Sequence, residues 1–281
     1  MENDVFVLIL GATDGAYALA HTFFHDYGVR VTVMDREAPP CLAASRALTF
    51  ERVSGMEEPR MLLLAVERFY ERHSGKSLFL FATEAEYADT LDAHRDRLEK
   101  MFFLPRVLRG EGRLADARGL LFAYRTTEGE MRTAYGQTAA WLADGTPAVL
   151  LARTPLALNE DAIEKGSFAL FAEDENENFT AVKDPLSSAI FFLTAADVSL
   201  PELLVTDYVL CEGLPPEEWV AGLYSLCPYP LLKKRVLPSL RAEADKRCAR
   251  RLATALFFKK REKGLRARLL VARHARRLAK R

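Results

Sequence analysis

The chain has 281 residues, of which 49% are hydrophobic and 28% charged. That balance can bury a core in one large domain or two ordinary ones, and it excludes a mostly disordered chain. Basic and acidic side chains both number 39, but residues 231–281 hold 19 Lys/Arg and 3 Asp/Glu (net +16), which leaves a net of −16 on residues 1–230. Apolar runs such as Val5–Ala12 and Met61–Val66 fall far short of the ~20 residues that a bilayer-crossing helix needs. The opening MENDV has two acids and no basic region, so it does not read as a signal peptide. Cys41, Cys211, Cys227 and Cys248 are widely spaced and form no C-x-x-C pair. They read as reduced thiols of a cytoplasmic protein.

In chain order, Val5–Leu10 is a continuous β-rich run, followed by the Gly11–Gly15 turn, a helical Ala16–Tyr27, Gly28 and a second apolar run Val29–Met34 ending at Asp35. Strand, glycine turn, helix and strand open a parallel α/β sheet, and unbroken apolar strands fit burial on both faces. Thr49–Val53 is a third strand, Pro59–His73 an amphipathic helix and Ser77–Ala82 a further buried strand. Thr83 is expected to N-cap a helix running to Lys100. The edge of this first domain is placed at Phe102–Arg118, where Gly110 and Gly112 interrupt the pattern. Beyond it, Leu120–Tyr124, Met131–Trp141, Ala148–Ala152, Phe168–Phe171 and Phe179–Val182 read as strands of a mainly antiparallel sheet, with turns at Glu128-Gly129 and Asp174–Asn178. Ser187–Ala196 and Leu200–Leu210 read as helical, Trp219–Tyr229 as mixed, and Lys246–Lys259 and Gly264–Lys280 as basic helices.

The glycine turn at a helix N-terminus could hold phosphate, and Asp35 stands where a dinucleotide fold places its ribose-binding acid. A G-x-G-x-x-G needs glycine at position 13, however, and Thr13 stands there, so the turn reads as a plain βα turn rather than an NAD site. His21 and His25, four apart on one helix, could supply half of a zinc site. No further ligand follows at a metal-like spacing, so they read as packing or surface residues. Zinc-protease, α/β-hydrolase and P-loop signatures are missing, which removes the main support for those chemistries. The acids of Glu173–Glu177 could meet a hard cation but lack EF-hand spacing, and they read as a solvated hairpin tip. The basic tail reads either as a solvated face over an apolar stripe or as a contact for an anionic surface. With Phe257 and Phe258 as its only aromatic residues, it does not build a base-stacking platform.

Two groups of residues together resemble a known family. Leu8–Gly11 leads into Tyr17–Gly28 (YALAHTFFHDYG), and downstream stand Leu203–Tyr208 (LLVTDY), Ala255–Lys260 (ALFFKK) and Arg266–Leu269 (RARL). This order resembles ATP-grasp carboxylate–amine ligases of the D-aspartate ligase type, which open with a glycine turn and a helix ending in Phe-His-x-x-Tyr-Gly. The resemblance implies an α/β protein with a Rossmann-like pre-ATP-grasp domain over residues 1–105. A reduced α+β ATP-grasp-like remnant would occupy 119–230 and a basic helical tail 231–281. It also implies an ancestral activity: ATP and Mg²⁺ phosphorylate a carboxylate, and an amine, carried in this type on a cytoplasmic peptidoglycan precursor, attacks the acyl phosphate.

The middle of the chain is shorter than a complete ATP-grasp module. Residues 120–185 resemble only its C-terminal half, without the part that carries the nucleotide lysines. Against the family's Glu-x-Asn-Pro-Arg, this chain reads Val182-Lys183-Asp184-Pro185-Leu186. A valine cannot ligate Mg²⁺ and a leucine cannot clamp a phosphate. Asp184 is the one carboxylate left for a metal, and no catalytic residue carries over. Phosphoryl transfer depends on charge neutralisation by metal and cationic side chains. The expectation is therefore a pseudoenzyme: a non-catalytic binding or accessory protein, partnered by a full-length ligase or another enzyme of cell-wall or surface-polymer precursor metabolism. One alternative is an active ligase using ATP and Mg²⁺, with Glu160, Asp161, Glu164, Glu173, Asp174 and Asp184 assembling its metal site. Another is an adaptor whose residues 231–281 dock on anionic membrane or nucleic acid. A small-molecule cleft is expected at the C-terminal ends of the first-domain strands, around Gly11, Thr13, Gly15, Asp35, Thr83 and Glu84.

Overall fold

A computed structural model describes residues 5–153, 158, 162–186, 199–214 and 221–280. The chain divides into two compact units: the residues up to Pro105 with Leu186 and Leu200–Glu212, and those from Arg106 to Pro185 and from Gly213 onward.

The first unit is built on β1 (Val5–Leu10), β2 (Val31–Asp35), β3 (Leu48–Arg52) and β4 (Ser77–Ala82), all parallel, in the order β3-β2-β1-β4. Its helices are α1 (Asp14–Tyr27), α2 (Pro40–Ala43), α3 (Pro59–Arg72), α4 (Ala85–Ala93), α5 (Arg95–Leu98) and α6 (Leu200–Val205), the last continued by a π-helical turn at Thr206–Leu210. Alternate residues serve the two faces of the sheet. On one face Leu8, Leu10, Leu78 and Leu80 pack with Leu62, Val66 and Phe69 of α3. On the other, Phe23 of α1 lies against Phe79 and Phe81 at centroid distances of 6.2 and 6.1 Å, and Tyr208 meets Phe79 edge-on at 6.4 Å. Thr13 caps α1 through its side chain, and Gly28 ends it in the left-handed conformation (φ 69°) that glycine adopts without steric cost.

The second unit is a mixed sheet of β5 (Arg106–Leu108), β6 (Gly119–Arg125), β7 (Met131–Trp141), β8 (Pro147–Ala152), β9 (Ser167–Glu173), β10 (Phe179–Ala181), β11 (Leu223–Ser225) and β12 (Ala253–Ala255). The order is β10-β9-β6-β7-β8-β11-β12, with β5 also paired to β9; the β5–β9 and β11–β12 pairs are parallel and the rest antiparallel. Leu121, Ala123, Ile163, Ala169 and Phe171 form a core on one face. Helices α7 (Tyr229–Leu232), α8 (Pro238–Ala249) and α9 (Leu265–Leu278) belong to this unit.

The expected strands and the Pro59 helix stand within a residue or two of where the sequence puts them. Four expectations need correction. The helix after β4 is two pieces broken at His94, and Thr83 does not cap it. Its hydroxyl instead donates inward, to the carbonyls of Leu10 (3.2 Å) and Gly11 (2.9 Å). The expected helix over Lys246–Lys259 stops at Ala249; the chain turns through Arg251 (φ 62°) and enters the sheet as β12. The segment around Gly110 and Gly112, read as an interruption, runs tightly along β10, and a Cβ on Gly110 would come within 2.7 Å of the Ala181 carbonyl oxygen. The short strands β5 and β11 were not foreseen, because three residues carry too little alternation to announce a strand. The helix expected at Ser187–Ala196 lies outside the described residues. Among the described residues no helix is long and apolar enough to cross a membrane, and the four cysteines are free thiols.

Candidate functional site

The C-terminal edge of the parallel sheet collects the residues named from sequence. The four strand ends are laced by three backbone bonds: Gly11 N–H to Met34 O (3.0 Å), Thr83 N–H to Leu10 O (2.8 Å) and Val53 N–H to Asp35 O (3.0 Å). Gly11 sits at φ 95°, and a Cβ there would meet Thr83 Oγ1 at 2.8 Å and Glu84 Cγ at 2.9 Å. The position therefore needs glycine on both conformational and steric grounds. Thr13 Oγ1 accepts from Ala16 N–H (3.2 Å), and Gly15 is buried in the first turn of α1.

Asp35 is the hub of this edge and is only 6% exposed. Its Oδ2 accepts from the Ala12 N–H at 2.8 Å. Its Oδ1 accepts from the Arg36 N–H at 2.6 Å and the Tyr87 hydroxyl at 2.9 Å. A ribose-binding acid offers its oxygens to a diol; here both oxygens tie the glycine turn and α4 to the end of β2. The sequence pointed to Asp35 but not to Tyr87. The available signal was weak: a buried tyrosine needs a partner for its hydroxyl, but the sequence does not say which. Burial and the Asp35 carboxylate push the Tyr87 phenol well above its ordinary range. Glu84, half-buried beside Asp35, has its carboxyl raised by burial first and by Asp35 second.

A groove of about 530 Å³ lies beside the ends of β2 and β3, on the side of the sheet that α3 covers, lined by Met34, Glu51, Val53, Ala65, Arg68 and Arg72 among others. That volume lies in the range of small-ligand sites. Arg72 spans it with a two-pronged pair to Glu51 at 3.0 and 2.9 Å.

The other candidates lie apart from this edge. His21 is buried, with Nε2 3.1 Å from Ser45 Oγ and its ring against Tyr17, whereas His25 is exposed beside Asp26. The Asp174–Asn178 segment is the β9–β10 turn, and Asp174 Oδ1 accepts from the N–H groups of Asn176 (2.8 Å) and Asn178 (2.9 Å). These bonds hold the Asp174 carboxyl below its usual range. Glu173 accepts from the Tyr135 hydroxyl at 2.6 Å, and Glu164 pairs with Arg106 at 3.1 Å. Among the described residues no three His, Cys, Asp or Glu side chains, Asp184 included, gather as a metal-holding group. Glu160 and Asp161 lie outside the described residues. Val182 and Leu186, which stand where the resemblance places a metal-binding acid and a phosphate clamp, are each 3% exposed.

No protein-family model and no curated protein matches the chain. Solved structures do. The ADP complex of PurK, an N5-carboxyaminoimidazole ribonucleotide synthetase, is similar at a TM-score of 0.47 and 9% identity, over 79% of this chain and 81% of that one. The synthetase of the same name from Thermus thermophilus gives 0.46 and 14%, over 78% and 81%. The biotin carboxylase domain of a single-chain bacterial carboxylase gives 0.46 and 9%, over 78% and 73%. At these identities no residue role is carried across. With TM-scores of 0.46–0.47 and identities of 9–14%, these are likenesses only, and no family passes from them to this chain.

Proposed function

We propose that this chain is an ATP-grasp-like protein that does not carry out ligation and acts in the cytoplasm as a binding or accessory protein. The supporting observation is the chemistry at Val182–Leu186. Where the resembled ligases place carboxylate, amide and guanidinium groups around a metal and a triphosphate, this chain has the buried Val182, the carboxylate of Asp184 and the buried Leu186, with the exposed Lys183 between the first two. Val182 donates its N–H to Leu170 O at 2.7 Å and bridges to Gly112, so it is part of the sheet's packing. An aliphatic side chain has no lone pair for Mg²⁺ and no charge for a phosphate, and Lys183 adds a positive charge where a cation would have to sit. With several charge-neutralising groups replaced together, phosphoryl transfer should fall to near background.

In this reading residues 1–105 are the pre-ATP-grasp domain, 119–230 the reduced remnant and 231–281 the basic helical tail. A small ligand of the first domain would meet the edge built by Gly11, Thr13, Gly15, Asp35, Thr83 and Glu84, with Asp35 and Thr83 holding its shape. The partner would be a full-length ligase or another enzyme of surface-polymer precursor metabolism. Calorimetric titration with Mg-ATP, followed by an ADP-release assay with carboxylate and amine mixtures, tests it. The expected result is no steady ADP release above the protein-free rate. Micromolar Mg-ATP binding with steady, amine-dependent ADP release overturns it and restores the ligase alternative.

A further inference from the structure

Helix α9 has two faces of different chemistry. Ala267, Val271, Ala275 and Leu278 are buried against the second unit. Facing outward, Leu265 and Leu269 are 75% and 62% exposed, unusually open for large aliphatic side chains. With Ala272 and Arg276 they follow a 4-3-4 spacing, the d-a-d-a seam of a two-helix packing. Arg266, Arg273 and Lys280 then fall at the e positions and Arg268 at a g position. Together with Lys259 and Lys260 this face bounds an open groove of about 850 Å³, lined by seven cations, two leucines and one alanine, with no acidic side chain. Lys259, Lys260, Arg273, Arg276, Arg277 and Lys280 make no ion pair with any described residue.

We propose that this groove docks an acidic amphipathic helix of a partner protein, with Leu265 and Leu269 in its apolar seam and the flanking arginines and lysines facing Glu or Asp. Charge complementarity selects this occupant. A second copy of α9 would set cation against cation along the seam. A membrane-lying helix needs a broad apolar face, whereas here the stripe is two leucines wide and runs into Arg276. A nucleic acid would meet exposed leucines and no stacking aromatic side chain. A narrow apolar seam flanked by charge is what helix pairing uses to set both affinity and partner choice. Docking there requires nothing of the ATP-grasp reading.

The test uses the whole chain and a fluorescent synthetic peptide of about three heptads, with Leu at a and d and Glu at e and g. The controls are a scrambled peptide of the same composition, vesicles of about one-third phosphatidylserine, and a short DNA duplex. Anisotropy should show saturable binding to the patterned peptide, about tenfold weaker for the scrambled one. The double variants Leu265→Glu/Leu269→Glu and Arg273→Glu/Arg276→Glu should each weaken binding about tenfold or more while keeping the native circular dichroism spectrum and melting temperature. Equal affinity for the scrambled peptide, unchanged binding by either double variant, or tighter binding to vesicles or duplex than to the patterned peptide overturns the proposal.

Discussion

Helices α8 and α9 are both rich in basic side chains, three Lys/Arg in 12 residues and five in 14, and have opposite roles. In α8 the charges are structural members. Arg247, 7% exposed, donates from Nη1 to the carbonyls of Ala152 (2.7 Å) and Gly222 (2.6 Å), and from Nη2 to Glu243. Glu243 also accepts from Arg153 at 3.1 Å, and Asp245 accepts from Tyr229 (2.7 Å) and Lys233 (2.9 Å). The Asp245 carboxyl is accordingly held below its ordinary range, by Lys233 first and Tyr229 second. In α9 the outward cations meet no acid among the described residues, and of the seven lining its groove only Arg268 makes a side-chain hydrogen bond to a described residue, Nε to Glu262 O at 2.9 Å. The fold uses the charges of α8 to close the ends of β8 and β11, and it leaves those of α9 over. The count of basic residues does not separate these cases; the two acids inside α8 and their absence from α9 do.

The sharpest way to break this contrast is Arg247→Met. It keeps the apolar stem but strands two carbonyls and the Glu243 carboxylate, and it should cost about 2–3 kcal/mol in urea unfolding. A loss below about 0.5 kcal/mol would place Arg247 with the surplus cations. Asp35→Ala applies the same test to a carboxylate of the first unit. It strands the Ala12 N–H and the Tyr87 hydroxyl and should cost about 2 kcal/mol, read as a lower urea midpoint. Glu84→Gln should act in the other direction. Because the folded-state carboxyl of Glu84 is raised above its ordinary 4.5, the folded chain binds this proton more tightly than the unfolded one. Its favourable contribution is therefore present below about pH 4.5 and is lost as pH rises through the raised value. The glutamine variant should be more stable than the parent at pH 7, by less than about 1 kcal/mol given solvent screening, and the gap should close on acidification. A gap that widens toward pH 4 would contradict the assigned cause. Smallest of all, Arg273→Gln/Arg276→Gln should leave stability within about 0.5 kcal/mol of the parent.

Much of the first unit was legible. Unbroken apolar runs announce doubly buried strands, Gly28 follows the end of α1, and Pro59 opens α3, so local chemistry and final fold agree. The site residues were legible as a neighbourhood, since strand ends and the turns after them converge in any parallel sheet. What each does there was not. Asp35 reads in sequence as a ligand acid and is found accepting three protein hydrogen bonds; Thr83 reads as a helix cap and is found tying β4 to β1. A polar side chain can serve several partners, and the choice among them is made by residues distant in sequence, 72 positions away in the Thr83–Gly11 bond.

The sequence by itself determined the α/β class, the positions of nine of the twelve strands, and the acidic body with its basic tail, because these depend on residue identity and short-range periodicity. Tertiary structure alone decided that β12 leaves the basic stretch to join the sheet, that Arg247 is buried while Arg273 and Arg276 face outward, and that Asp35 is a strut. Those outcomes are set by long-range pairing and by which polar groups must be satisfied once water is excluded, and no local window of the chain carries that information.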